Sequence, residues 1–175
     1  MSTALTKTER SPEYAEHALR VSDRVEIRSI VLVAAKLARI NVREGANLSV
    51  DIQRGTRAAM DSSRGLLRVQ VDIGFVARET AAPPKPEFIE VGATYELTYH
   101  VLDQSGLTQR DFDAFADMNA VFNAWPYFRE FLQSALVRMG LPPFTLPVLR
   151  VGTASSSPAG GTAACKPDSD AQQSS

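Results

Sequence analysis

Leu67-Arg68-Val69-Gln70-Val71-Asp72-Ile73-Gly74-Phe75 alternates apolar with polar or small residues without a break. A period of two over that length is the mark of a strand with one face buried and one face wet. The reading extends outward from here. Downstream, three prolines within Ala81 to Pro86 require a loop. A further strand then places Ile89, Val91, Ala93, Tyr95, Leu97, Tyr99 and Val101 on one face, with Glu90, Thr94, Glu96, Thr98 and His100 on the other. Upstream, Asp61-Ser62-Ser63-Arg64-Gly65 is a turn cluster. Before it, Leu48, Val50 and Ile52 alternate with Ser49, Asp51 and Gln53 in a strand that weakens toward Gly55, and Asn41 to Asn47 is a connection. The first strand puts Val25, Ile27, Val31, Val33, Ala35 and Leu37 on one face, but Ile30 and Leu32 interrupt the polar face. That interruption predicts cover on both sides or contact with another subunit. Four strands with short connections predict an antiparallel meander, since parallel pairing needs long crossovers.

A sheet with one apolar face needs a second layer. Thr108 with Asp111 three residues on predicts a capping box, opening a helix that carries Phe112, Phe115 and Met118. A second helix is predicted to start at Pro126, with Phe128, Phe131, Leu132, Ala135, Leu136 and Met139 on one broad apolar face. Gly140 suits the left-handed position after that helix, and Pro142-Pro143 cannot continue it. Leu141 to Val151 is apolar and proline-rich, hence extended and packed along an edge. At the other end, Ser11-Pro12-Glu13 predicts the start of a short helix through Tyr14, Ala15, Ala18 and Leu19. The chain thus divides into an N-terminal extension with a short helix (1–22), one α+β domain (23–151) and a tail (152–175) too rich in Ser, Ala, Gly and Pro to order itself.

The chemistry of catalysis is missing. Nineteen basic and twenty acidic residues leave a net charge of −1 and are interspersed, which gives no footprint for nucleic acid. The lone Cys165 lies in the polar tail with no histidine near it in sequence, and reads as an exposed bystander. His17 and His100 have no partner at metal-ligand spacing and read as surface residues. Asp111, Asp113 and Asp117 fit a helix N-terminus better than a cation site. No phosphate loop, zinc pair or nucleophile elbow is present, so neither an enzyme nor a cofactor is expected. Met1 to Arg20 lacks an apolar signal core, and no stretch is long enough to span a bilayer, which predicts a cytoplasmic location without membrane insertion.

The unusual feature is apolar. Phe112, Phe115, Phe122, Trp125, Tyr127, Phe128 and Phe131 place seven of thirteen aromatic residues within positions 112–131. Some of them glue helices to the sheet; a small sheet does not obviously hide all seven, and a surplus predicts oligomerisation or a hydrophobic groove. An enclosed small-ligand pocket and a purely structural oligomerisation module are the alternatives.

The stretch Phe122-Asn123-Ala124-Trp125-Pro126-Tyr127-Phe128-Arg129-Glu130 resembles the aromatic-Pro-Tyr-x-Arg-Glu signature that opens the long helix of SecB export chaperones. Its sequel, Arg138-Met139-Gly140 followed by Leu141-Pro142-Pro143-Phe144-Thr145-Leu146-Pro147, is also similar, and Met118-Asn119-Ala120 stands where that family links its helices. The architecture is similar from Val25 to Leu149; residue-level similarity is confined to Met118–Leu149. Pro126, Tyr127, Arg129 and Glu130 are the motif positions. The resemblance implies an ATP-independent holdase for unfolded polypeptides that needs no cofactor and forms a homotetramer as a dimer of dimers. Clients of such proteins pass to the SecA motor for export; in some relatives the client is the antitoxin of a toxin–antitoxin pair. This chain is nearly neutral where typical members are acidic, and its polar strand faces mix Arg68, Arg78, Asp72 and Glu90. On this reading Val33, Leu37, Phe122, Trp125, Phe128 and Leu132 form the client groove. Ile30, Leu32, Phe131, Leu136 and Met139 are the subunit contacts.

Overall fold

A computed structural model describes residues 12–40, 48–79 and 88–149. The expected tail, Cys165, the cap at Ser11 and the two connections at 41–47 and 81–86 lie outside those residues. Helix α1 (Pro12–Ser22) leads into strands β1 (Val25–Ile40), β2 (Leu48–Asp61), β3 (Leu66–Glu79) and β4 (Phe88–Val101). Helix α2 (Gln109–Phe115) then passes through one π-helical turn (Ala116–Ala120) into α3 (Val121–Arg138). The four strands form one antiparallel sheet covered by helices on one face, as the alternating segments require.

The strand order is β1-β4-β3-β2, not that of the expected meander. Strands β2, β3 and β4 do follow one another in space, but β1 pairs with β4 from Val25↔Val101 to Ile40↔Phe88. Ile40 and Leu48 therefore lie at the same end of the sheet on opposite edges, about 14 Å apart at the usual strand spacing. The seven residues between them are enough to cover that gap, and nothing in their composition distinguishes a crossing from a hairpin.

Two register shifts in β1, between Ile27 and Ser29 and between Leu32 and Ala34, reset which side chains face the helices. A bulge inserts one residue and reverses the alternation beyond it. Val25 and Ile27 stand opposite the buried Val101 and Tyr99, then Ile30 and Leu32 stand opposite Leu97 and Tyr95, then Ala35 and Leu37 opposite Ala93 and Val91. Ile30 and Leu32 thus belong to the helix side. Val31 pairs with Glu96 on the outer side, contrary to an unbroken period of two. Strand β2 also runs on past Gly55 to Asp61. Its Thr56 stands opposite the buried Val71 on the helix side, where its hydroxyl donates to the half-buried Asp117 of the π-helical turn.

On the helix layer, Val121, Ala124, Trp125, Phe128, Leu132, Ala135 and Leu136 form the buried stripe of α3 against Val69, Val71, Leu97 and Tyr99 of the sheet. The helix begins at Val121, so Pro126 is interior rather than at the first turn. Proline there removes one i→i−4 bond, but Phe122 and Pro126 are both exposed, and water can serve the carbonyl left over. The helix ends in a Schellman motif: Leu141 N–H donates to Leu136 O and Gly140 N–H to Val137 O, each at 3.0 Å, with Gly140 at φ 69°.

The Thr108–Asp111 capping box is present, and Asp111 does more than cap. Fully buried, it takes His17 Nδ1 at 2.7 Å and Arg20 Nη1 at 3.2 Å from α1. Tyr14 donates to Asp117 at 2.7 Å and Asn119 to Ser22 at 2.8 Å. His17 is therefore an anchor of α1 rather than a free surface histidine. Burial alone would raise the Asp111 carboxyl, but the hydrogen bonds from Thr108 and His17 and the charge of Arg20 hold it at about 2.

Candidate functional site

α3 packs over β3 and β4 and leaves β1 largely uncovered. Its path is fixed at three points. Asn123 Nδ2 donates to Tyr99 Oη at 3.0 Å, the Tyr127 ring sits 6.5 Å from that of Tyr95, and Arg39 of β1 donates to the Met139 carbonyl. Tyr99 and Tyr95 stand opposite Ile27 and Leu32 on β1. A trough therefore runs between α3 and the edge strand. Tyr95 lies in its floor, Tyr127 stands on the helical side, and Ile27, Leu32 and Leu37 on the strand side. Phe122, five residues from Tyr127, falls on the other flank of α3 with Arg129.

β1 is 16 residues long and not one of them is buried. Its helix-side residues Ile27, Leu32 and Leu37 and its outward Val31 and Ile40 are all exposed, and so is Val33 at the second bulge. Among the described residues the strand's second edge has no partner, which leaves a row of backbone donors and acceptors open. Six large apolar side chains on an edge strand form far more than the scattered apolar exposure ordinary surfaces carry.

The electrostatics of the trough are quiet. Burial, and then the negative charge of Glu130, push the Tyr95 phenol up to about 12; burial pushes Tyr99 to about 12 against the opposing hydrogen bond from Asn123. Both stay neutral at any physiological pH. Lys36 and Glu90 pair at 2.9 Å on the outer side of the sheet. Among the described residues no group of three or more His, Cys, Asp or Glu is placed to hold a metal ion, and no helix is long and apolar enough to cross a membrane.

Of the expected groove residues, Val33 and Leu37 are exposed on β1 beside this trough, and Phe122 is exposed on the opposite flank of α3. Trp125 (5 % exposed), Phe128 (0 %) and Leu132 (0 %) are core side chains of α3 and present no surface here. Of the expected subunit contacts, Leu32 is exposed at 43 %, Ile30, Phe131 and Met139 are half-buried, and Leu136 is buried at 3 %. The reason for the split is angular: a helix lying flat on a sheet buries the middle of its apolar stripe and exposes only the flanks. Within the motif, Pro126, Tyr127 and Glu130 are exposed, whereas Arg129 Nε donates to the Leu146 carbonyl at 2.8 Å. Sequence reasoning missed Ile27 as an exposed residue and Tyr127 as the ring beside Tyr95; the strand order, which uncovers β1, supplies that signal.

A structure of the SecB-like chaperone Rv1957 of Mycobacterium tuberculosis, in complex with a ChAD peptide from the Rv1956 HigA1 antitoxin, superposes with a TM-score of 0.69. It covers 80 % of this chain and 100 % of that one, at 20 % identity. The chain has the SecB-like fold. A Streptococcus agalactiae protein of unknown function aligns at a TM-score of only 0.36 and 12 % identity, which carries no argument. No family model matches the sequence, and no curated protein does either.

Proposed function

We propose that this chain is a holdase chaperone of the cytoplasm: it binds non-native polypeptide in extended form, with no catalysis, nucleotide or cofactor, as a homotetramer built from a dimer of dimers. The observation that carries the reading is the uncovered β1 with the trough beside it. An extended client supplies alternating apolar side chains and unpaired backbone, and the trough offers apolar walls with the exposed ring of Tyr127. Weak contacts repeated along a wrapped chain add up without demanding a sequence. The long edge of β1 also suits contact with a second copy, because an apolar edge left bare in a monomer invites aggregation. An enclosed small-ligand pocket is less favoured, since Phe112, Phe115, Trp125 and Phe128 pack into the core.

Two client classes follow. The mycobacterial structure with its antitoxin peptide favours a dedicated antitoxin client; delivery of many clients to the SecA export motor is the broader role. The deciding experiment measures suppression of aggregation of a denatured protein, without ATP, alongside the mass of the chain by light scattering. Suppression at near-stoichiometric tetramer supports the reading, and a monomer that leaves aggregation untouched overturns it. A panel of unrelated unfolded polypeptides then separates the classes: comparable affinities indicate export, and one segment bound about a hundredfold more tightly, roughly 2.7 kcal/mol, indicates a dedicated client.

A further inference from the structure

Residues 141–149 run on from α3 without regular structure, and they are held differently from the rest of the chain. Among the described residues no backbone–backbone hydrogen bond involves 142–149. Instead two side chains one helical turn apart on α3 reach its carbonyls. Arg129 Nε donates to Leu146 O at 2.8 Å, and Trp125 Nε1 donates to Pro147 O at 2.9 Å. Leu146 is fully buried within the core cluster, and Phe144 rests on Phe75 of β3 with ring centres 5.5 Å apart. Pro142, Pro143, Thr145, Pro147 and Val148 are exposed.

This is how a protein holds a bound peptide. Carbonyl acceptors are offered by every residue, and indole and guanidinium groups are donors only, so they accept any sequence that presents an oxygen. Prolines after Leu141 forfeit no backbone bond, because among the described residues no N–H beyond that of Leu141 pairs with the backbone. One aliphatic side chain fills a pocket and one ring lies on another; the remainder faces out.

We infer that the channel between α3 and β3 is a binding site for extended polypeptide, filled in this structure by the chain's own residues 141–149, and that a client with a pocket-filling aliphatic residue displaces them. The inference rests on the holdase reading and adds a gate to it. The β1 trough stays open, whereas this channel opens only when the strap is undocked, and its apparent affinity falls by the undocked fraction. Displacement uncovers Trp125, which joins the client surface only in that state.

The chain's single tryptophan and single cysteine make the test direct. In a Cys165→Ser, Val148→Cys protein labelled with bimane, the neighbouring Trp125 quenches the dye while the strap is docked. Titration with a reduced, carboxymethylated polypeptide carrying fluorescein is expected to raise bimane emission severalfold, saturating together with the fluorescein anisotropy. Binding without any rise in emission overturns the gate and leaves the holdase reading intact; no binding at all overturns both. Leu146→Ala empties the pocket of its internal occupant, and the folded variant is expected to bind the polypeptide roughly three- to tenfold more tightly. Unchanged or weaker binding by a variant whose circular dichroism matches the parent overturns the proposal. Should that variant not fold, the labelled chain decides alone.

Discussion

β1 and β4 are neighbours of similar length and similar apolar content, yet they have opposite fates. Every second residue of β4 from Ile89 to Val101 is buried, while β1 buries none of its sixteen. Composition does not separate them; surroundings do. β4 is paired on both sides and covered by α3, whereas among the described residues β1 has one partner strand and no helix over most of its length. Apolar side chains on β4 stabilise this chain, and those on β1 are available to something else. Their sequences carry the distinction in one respect: β4 keeps a strict period of two, and β1 breaks it at Ile30 and Leu32.

The comparison is sharpest where a core residue is set against an edge residue. Phe128→Ala, at a fully buried site on α3 above the sheet, is expected to cost about 3–5 kcal/mol in denaturant melts. A loss below about 1 kcal/mol there would mean that α3 does not pack as described, and the contrast with β1 would dissolve.

Asp111 tests whether α1 belongs to the stable part of the molecule. Its carboxyl sits at about 2, below the ordinary aspartate value of 3.8, so the ionised form favours the folded state. That contribution is complete above about pH 4 and is lost as pH falls toward 2. The gap corresponds to roughly 2 kcal/mol at neutral pH. Asp111→Asn is expected to lower stability by about that much at pH 7 and to flatten the decline between pH 4 and 2, read from urea melts across that range. An unchanged acid limb would show that the His17 and Arg20 contacts are not formed in solution.

Much of this was legible in the sequence for physical reasons that can be named. The alternation at 67–75 and 89–101, the Thr108–Asp111 cap and the Gly140 stop are local signals, and each appears as read. Strand order was not local. A seven-residue connection after Ile40 serves a hairpin or a crossing of two strands equally well. The bulges in β1 were visible only as a misplaced Ile30 and Leu32, whose meaning depends on the partner strand. For the site, Val33, Leu37 and Phe122 are apolar residues of crowded segments that the structure leaves exposed. Trp125, Phe128 and Leu132 are buried instead, because one helical stripe contains both the buried centre and the exposed flanks. The angle at which α3 lies on the sheet is what sorts them, and no spacing encodes it.

The smallest expected change in stability bears most on function. Leu37 stands opposite Val91 on the helix side of β1 and is 49 % exposed. Leu37→Lys puts a charge on an edge strand, a position where natural sheets often carry lysine, and its cost to the folded chain is expected to lie within about 0.5 kcal/mol. Lysine cannot enter an apolar contact without losing water around its ammonium group. A client or second copy that covers Leu37 must therefore reject the variant, and capture of a denatured protein is expected to fall tenfold or more with the melting curve unmoved. Light scattering on the same sample tells which contact was lost: a halved mass assigns Leu37 to the subunit interface, and an intact mass with lost capture assigns it to the client. Full capture at unchanged mass would leave the bare face of β1 near Leu37 without a role, and the contrast with β4 would describe only what this chain fails to cover.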